Sequence, residues 1–175
     1  EEYGGRQNRT AAGIGTTDMA TLYPCPSMVA DIAVNLSRRI QMNVEGAHVL
    51  NPAVVLDWTY HQPGWEMMPY GEVCEELGVD RVVWIDVFEF RLNPPGNRWQ
   101  WEGVAGASIG IVEADGFDAD AFSENYDISS EFPKIPELGR ESSTEEKIKT
   151  GLLATFVQQA GWLFYDHIED KYPDA

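Results

Sequence analysis

The longest apolar passage of the chain runs from Val79 to Val112, and amphipathic segments lie on either side of it. Val, Ile, Trp and Phe dominate residues 82–90, a composition typical of a strand. A second apolar run follows Gly103, and the segment Asn93–Asn97, with two prolines and a glycine, separates the two runs. The pattern therefore predicts a long β-hairpin at the centre of a sheet.

A turn centred between Pro95 and Gly96 would fix how the two strands pair. Large side chains then oppose small ones, which lets a covering layer interdigitate. Near Val83 both faces are apolar, which indicates a central strand covered on both sides. Toward the turn the faces become polar, so that end is expected to project into water. The expected pairs are Leu92 with Trp99, Phe90 with Trp101, Trp84 with Ala107, Val82 with Ile109, Ile85 with Gly106, Val83 with Ser108 and Glu89 with Glu102.

Helices are predicted on both sides of the hairpin from apolar residues at helical spacing. Residues 27–42 form the first helix, with Arg38 and Arg39 near its end, where cations suit the helix dipole. Residues 142–170 form the longest helix, with Ser143 as its N-cap and Glu146 three residues later. Shorter elements are a strand at residues 47–50, a helix from Asn51-Pro52, a helix at residues 70–77 ended by Gly78, and a strand at residues 122–132.

Together these elements predict an α/β (α+β) fold with a single mixed sheet. The long central β-hairpin would be covered by the N-terminal helix and by the long C-terminal amphipathic helix. Residues 20–170 are expected to form one domain. Residues 1–19 are polar and glycine-rich, and form either a flexible N-terminal arm or a degenerate first strand.

The charge of the chain excludes some classes of partner. The 29 acidic and 12 basic residues give a formal net charge of -17. Nucleic acid phosphates and anionic lipid surfaces would both be repelled by such a chain. No apolar run approaches the roughly 20 residues that span a bilayer.

Candidate chemistry is confined to a few carboxylates, because no residue constellation matches a known catalytic signature. Glu89 opposite Glu102 would form an acid/base pair or a cation site, or else a solvated rim offset by Arg91 and Arg98. Asp86 interrupts an apolar strand, and either anchors a neighbouring loop or has a catalytic role.

Metal and cofactor sites are not expected. Cys25 and Cys74 lie far apart, without metal-ligand spacing, and form either one disulfide or two separate buried thiols. The three histidines also lack ligand spacing, which argues against zinc. Asp115, Asp118 and Asp120 have spacing found in calcium loops, but the rest of the EF-hand pattern is missing, which favours a solvated turn.

Two aromatic stretches are candidate contact surfaces. The aromatic loop, residues Tyr60–Trp65, is either a packed cover over the sheet edge or a patch for a partner. The hairpin tip, residues Leu92–Trp101, is a second candidate whose aromatic side chains would anchor a partner or pack against the terminal helix. The candidate binding residues are Tyr60, His61, Trp65, Glu89, Trp99, Trp101 and Glu102.

The order of elements and a set of residues resemble a known family. The residues are Tyr23-Pro24, Val54 to Trp65 with Pro63-Gly64-Trp65, Glu75 to Val83, Phe88-Glu89-Phe90, Gly103, Val112 and Phe164-Tyr165-Asp166-His167. They resemble the small α/β domain shared by the TolB N-terminal region and the curli-secretion lipoprotein CsgG. More closely, they look like bacterial envelope lipoproteins of that type. The resemblance covers roughly residues 20 to 168.

The resemblance implies a non-enzymatic, periplasmic domain for protein interaction or assembly, whose partners are other envelope proteins or, in a homo-oligomer, further copies of itself. Its members have a signal peptide and an acylated cysteine, so contact with a membrane, the outer membrane included, would be through a lipid anchor that is not in this chain. Its members also begin with an apolar strand, for which residues 11–19 are a poor match. Two alternatives remain: a carboxylate-dependent hydrolase using Asp86, Glu89 and Glu102, and a cation-binding secreted protein.

Overall fold

The computed structural model describes residues 9–15, 26–97, 99–116, 121–134 and 144–168. The strands are β1 (Arg9–Gly15), β2 (His48–Val49), β3 (Arg81–Arg91), β4 (Gly103–Glu113) and β5 (Glu124–Phe132). The helices are α1 (Pro26–Asn43), α2 (Pro52–His61), α3 (Tyr70–Leu77) and α4 (Glu145–Trp162), and a 3-10 turn spans Trp65–Met67. None of these helices has the length and hydropathy that crossing a membrane requires.

The five strands form one mixed sheet in the order β2-β1-β3-β4-β5. β1 runs parallel to β2 and to β3, whereas β3, β4 and β5 are antiparallel neighbours. The predicted fold class, a mixed sheet built around a long hairpin, is confirmed. Of the two expectations for residues 1–19, the structure contains a strand at Arg9–Gly15, and the other residues of that segment lie outside the described ranges.

One face of the sheet is covered by α1 and α4. α1 presents Met28, Ile32, Leu36 and Ile40, one residue per turn, and each side chain is at most 2% exposed. The stripe on α4 is Ile148, Leu152, Phe156 and Ala160. Apart from Ile148, these residues form one cluster with Val83, Ile85, Ala105, Ala107 and Ile109 of the hairpin. Burial of these apolar side chains is the main contribution to the stability of this layer.

The other face is covered by α2, α3 and the 3-10 turn. Val55 of α2 and Val73 and Cys74 of α3 pack with Val82 and Val112 of the sheet. Val82 and its neighbour Val83 therefore point into different layers, and each is only 1% exposed. The expectation that the hairpin is covered on both sides near Val83 is confirmed.

The predicted pairing of the hairpin strands is wrong. Ile85 lies opposite Ile109, Trp84 opposite Gly110 and Val82 opposite Val112, so β4 is displaced by three residues from the expected register. The pairing shifts again at Phe88, between Val87 and Glu89. Large residues still oppose small ones, because Trp84 faces Gly110 and Phe90 faces Ala105.

The connection between the strands explains the displacement, because it is not a tight turn centred on Pro95 and Gly96. Residues 92–102 form it, and its turn closes early, where the Asn97 amide donates to the Pro94 carbonyl at 3.1 Å. Its base closes where the Glu102 amide donates to the Leu92 carbonyl at 3.0 Å. The extra residues thus lie on the β4 side of the turn. Sequence composition does not indicate on which side of a turn such residues lie.

The termini of α4 also differ from expectation. The N-cap is Thr144, whose hydroxyl accepts from the Lys147 amide at 3.3 Å, and not Ser143, which lies outside the described residues. The helix ends at Trp162 rather than at residue 170. Beyond it, the rings of Trp162 and His167 stack with centroids 4.3 Å apart, which turns the chain back on the helix end.

Substituting Gly151 in α4 by alanine is expected to destabilise the fold. A Cβ there would overlap the ring of Phe132, a clash of the kind that costs roughly 1–3 kcal/mol. Alanine gains about 1 kcal/mol in helix propensity, so the expected net loss is up to about 2 kcal/mol. Urea unfolding of Gly151→Ala measures the net loss.

Gly161→Ala is the matched control in the same helix. Its Cβ would meet the flexible side chain of Arg39 at 3.2 Å. We expect this variant to unfold at the same urea concentration as the parent, or at a higher one. Equal stabilisation by both alanines would contradict the close packing of Phe132 on α4.

Candidate functional site

Aromatic side chains form a continuous layer on the face covered by α2 and α3. The rings of Trp58 and Trp65 have centroids 6.2 Å apart, and those of Trp65 and Trp84 are 5.2 Å apart. Tyr70 contacts Trp84 at 5.4 Å and stacks on Phe122 at 4.8 Å. Such pairs each contribute roughly 0.5–1.5 kcal/mol beyond their burial. This aromatic layer (Trp58, Trp65, Tyr70, Trp84 and Phe122) joins both helices and the chain before β5 to the centre of β3.

The predicted aromatic loop is helical at its start, because α2 continues to His61, and its side chains are divided between this layer and solvent. Trp65 is half-buried within the layer, as a packed cover would be. Tyr60 is 90% exposed, and Met67 just beyond the loop is 91% exposed. His61 is also exposed, and its Nδ1 lies 2.8 Å from the Asp57 carbonyl. The packed Trp65 therefore holds the loop in place while Tyr60 and Met67 present apolar surface to water.

The segment that surrounds this loop is strongly acidic. Residues 50–80, from which the whole α2–α3 layer is built, contain no lysine or arginine. Their acidic residues are Asp57, Glu66, Glu72, Glu75, Glu76 and Asp80. The exposed Tyr60 and Met67 side chains therefore belong to a segment whose six formally charged residues are all acidic.

The hairpin tip presents one fully exposed aromatic side chain. Trp99 is 93% exposed, whereas Trp101 is half-buried. The side chain of Asn93 ties the tip together by donating to the Gln100 carbonyl at 2.7 Å. The expected projection of this end into water is seen at Trp99.

The structure does not bring Glu89 and Glu102 together. Glu89 lies opposite Gly106, and Glu102 is four residues from Gly106 along the chain, roughly 13 Å away in extended backbone. Glu89 accepts from Arg91 Nε at 2.9 Å, and Glu102 accepts from Gln100 Nε2 at 3.1 Å. The prediction that Glu89 lies opposite Glu102 is wrong, because it followed from the wrong strand register.

The loop and the tip are separate surfaces. Trp65 contacts Trp84, which lies seven residues before Arg91 at the end of β3. Seven residues of strand correspond to roughly 20 Å. The candidate residues therefore divide into two groups, one with Tyr60, His61 and Trp65 and one with Glu89, Trp99, Trp101 and Glu102.

Asp86 lies on the open half of the sheet face that α2 and α3 cover in part. It is half-buried and pairs with Gly15 of β1 on one side and Ser108 of β4 on the other. The Ser108 hydroxyl donates to the Asp127 carboxylate on β5. Asp86 is thus part of a polar row across the sheet, and Glu102, in the connection beyond β3, lies apart from it.

Other expected sites fall partly outside the described residues. Asp115 lies in the turn after β4, but Asp118 and Asp120 are not described. The part of the chain that is described contains no group of three or more His, Cys, Asp or Glu side chains placed to hold a metal ion. Cys74 is a fully buried free thiol, and Cys25 lies outside the described ranges.

A groove between α1 and α4 was not expected from the sequence. It has a volume of about 320 Å³ and is called the helical groove below. Arg38 and Arg39 do not lie in the last turn of α1, where they were expected to complement the helix dipole, because the helix continues to Asn43. They lie instead at this groove. Its lining residues are Asn35, Arg38, Arg39, Thr150, Leu153, Ala154 and Val157. The sequence feature that could have indicated this groove is the pair of adjacent arginines, in a chain with only 12 basic residues.

No family model matches the chain, and no curated protein matches it. Solved structures do match its fold. The PelC dodecamer from Paraburkholderia phytofirmans superposes with a TM-score of 0.54 at 10% identity, over 92% of this chain and 89% of that one. Lipoprotein GNA1162 from Neisseria meningitidis superposes with a TM-score of 0.54 at 14% identity, over 87% of this chain and 97% of that one. Hypothetical protein CT253 from Chlamydia trachomatis superposes with a TM-score of 0.52 at 12% identity, over 90% of this chain and 94% of that one.

At these identities the likeness is one of fold. The chain is similar over nearly its whole length to structures that include a bacterial lipoprotein. The resemblance to bacterial lipoproteins inferred from the sequence is therefore confirmed for the fold alone. The resemblance to the TolB N-terminal region and to CsgG stays a prediction.

Removing the Trp65 ring is expected to destabilise the protein much more than removing the Tyr60 ring, although both belong to the aromatic loop. Trp65 contacts two other tryptophans, so Trp65→Ala should lower the free energy of unfolding by about 2–4 kcal/mol. Tyr60→Ser should change it by less than about 0.5 kcal/mol, because that ring is exposed. Urea unfolding compares the two. Similar losses would show that the loop is not divided between the aromatic layer and solvent.

The buried thiol gives the fold a specific sensitivity to alkaline pH. Burial raises the pKa of Cys74 from 9.0 to about 11, and the nearby Asp80 carboxylate adds to this, although a hydrogen bond with the Val82 backbone opposes it. Between pH 9 and 11 the unfolded chain would ionise this thiol while the folded chain keeps it protonated. Stability should therefore fall across this range, by roughly 2–3 kcal/mol for this group.

Cys74→Ala removes the titrating group and provides the comparison. The variant is expected to be less stable at pH 7 because it loses buried volume. Its unfolding free energy should nevertheless fall less between pH 9 and 11 than that of the parent. Parallel pH profiles of the two proteins would contradict the assigned cause.

Proposed function

We propose that this chain, with its lipoprotein-like fold, is a non-enzymatic domain of the bacterial cell envelope that works by binding other proteins. It would be held at the membrane by a lipid anchor. Its partners would be envelope proteins, copies of itself included. The finer relationship to TolB N-terminal and CsgG-type domains is part of the same proposal.

The observation that carries the proposal is the fixed exposure of Tyr60 and Met67. Each is at least 90% exposed, yet the segment between them is held by the contacts of Trp65 with Trp58 and Trp84. A flexible loop would lose entropy when a partner orders it, whereas a loop already in place does not. Exposed tyrosine and methionine side chains held in position are typical anchors of a protein interface.

The comparisons support the envelope setting and the self-association. One similar structure is a lipoprotein, and another is a dodecamer. The hairpin tip offers a second contact through Trp99, supported by the hydrogen bond between Asn93 and Gln100. Because the tip lies roughly 20 Å from the loop, the two surfaces would contact different parts of a partner or different partners.

A photo-reactive benzoylphenylalanine placed at Tyr60 tests this function. The full-length precursor carrying it is expressed in bacterial cells and illuminated. We expect a covalent adduct with another protein chain in the envelope fraction, because the Tyr60 ring would lie in the interface. Gel shift and peptide mass spectrometry identify the adduct.

The same reagent at Lys134 is the control, because this side chain is also exposed but follows β5, away from the loop. It should give little or no adduct. If Tyr60 and Lys134 give equally weak adducts in intact cells, the aromatic loop is not a contact surface and the proposed function fails.

A further inference from the structure

The helical groove combines an apolar floor with a cation that has no partner among the described residues. Leu153, Ala154 and Val157 of α4 provide apolar surface, and α1 places Arg38 and Arg39 beside it. Arg39 donates to the Tyr165 hydroxyl at 3.2 Å. Arg38 is exposed and forms no ion pair with any described carboxylate.

Exposed apolar side chains extend this surface along α1. Val34 and Met42 lie four residues before and after Arg38, so all three occupy one side of the helix. Val34 is 43% exposed and Met42 is 76% exposed. The groove thus continues into a strip of apolar surface with a guanidinium at its centre, which suits a partner that presents apolar side chains and a carboxylate.

The α2–α3 layer of the same chain presents that combination. Glu66 and Met67 are neighbours in the 3-10 turn and both are exposed, and Tyr60 lies six residues before Glu66, near the end of α2. Glu66 forms no ion pair with a described residue. The two helices of the groove layer carry Arg38, Arg39, Lys147 and Lys149 against Asp31, Glu145 and Glu146, whereas residues 50–80 carry six acids and no lysine or arginine.

These complementary surfaces cannot meet within one molecule. α1 and α4 pack on one face of the sheet, and α2 and α3 pack on the other. A contact between them joins two molecules head to tail. Such a heterologous contact leaves one free surface at each end, so it builds a closed ring or an open filament rather than a symmetric dimer.

We propose that the helical groove binds the Tyr60–Met67 segment of a second copy of this chain, with Arg38 of one protomer against Glu66 of the next. Tyr60 and Met67 would lie on the apolar floor formed by Leu153, Ala154 and Val157. This inference rests on the proposed function, because it names the partner of the aromatic loop. It adds a second surface, the groove, that the proposed function does not require.

Charge reversal tests the contact, because a head-to-tail interface predicts an unusual pattern of rescue. Arg38→Glu leaves the Glu66 side intact, and Glu66→Lys leaves the Arg38 side intact. Each variant alone should self-associate at least about tenfold more weakly than the parent, since like charges meet at every contact. An equimolar mixture should recover assembly, because unlike charges meet wherever the two variants alternate. Sedimentation velocity of the full chain measures all three samples.

Matched controls reverse an exposed charge elsewhere. Lys134→Glu and Glu131→Lys change the net charge by the same amounts, and both side chains are exposed at the end of β5. They should leave self-association unchanged. Met67→Ser removes an apolar anchor without a charge change and should weaken assembly on its own. Thermal unfolding establishes that each variant is folded, as expected for exposed positions.

Mapping the Tyr60 adduct separates failure of this inference from failure of the proposed function. An adduct with α1 or α4 of a second copy supports both. An adduct with a different protein, together with unchanged self-association of Arg38→Glu, overturns the groove contact and leaves the proposed function standing. Absence of any adduct at Tyr60, or a mixture of variants that fails to assemble when the parent does, overturns the head-to-tail contact.

Discussion

The whole structure depends on β3 being buried on both faces. Val82 and Val83 are neighbours in the chain, point in opposite directions and are each 1% exposed. A strand of this kind is stable only when a layer of helices covers each face. The α1–α4 layer and the α2–α3 layer therefore stabilise each other through the strand between them, because their buried side chains belong to separate clusters on its two faces. This constraint also separates the outer surfaces of the molecule into two independent sides.

The two layers are stabilised in different ways. α1 and α4 each have 18 residues and bury a regular stripe, so each contributes several turns of apolar surface. α2 and α3 have 10 and 8 residues, lengths that are not stable as isolated helices in water. Ring contacts of Trp58 with Trp65, and of Trp65 and Tyr70 with Trp84, provide the packing that these short helices need. The same packing fixes the loop that presents Tyr60, so stability and the candidate contact surface have one origin.

Local signals allowed most elements to be predicted, whereas relations between distant elements did not follow from the sequence. The end of the helix at Tyr70–Leu77 was predicted from the glycine that follows it. In the structure Gly78 adopts the left-handed conformation that ends a helix. The hairpin was predicted but its register was wrong, because the extra residues of the connection lie on one side only. Of the candidate residues, Trp65 and Tyr60 have the same sequence signal, and only packing against Trp84 distinguishes the buried ring from the exposed one. Arg38 gained significance only once α4 was seen beside α1.

The distribution of charge is easiest to understand for a molecule with neighbours. The outer surfaces of the two layers are separated by a sheet and two helix thicknesses, roughly 30 Å. At physiological salt the interaction of exposed charges is screened over about 8 Å. Arg38 therefore gains little from the acids of residues 50–80 in its own chain, and those acids gain little from Arg38. A partner surface within contact distance would neutralise either set of charges. The chain itself carries both the basic and the acidic surface, on opposite sides of the sheet.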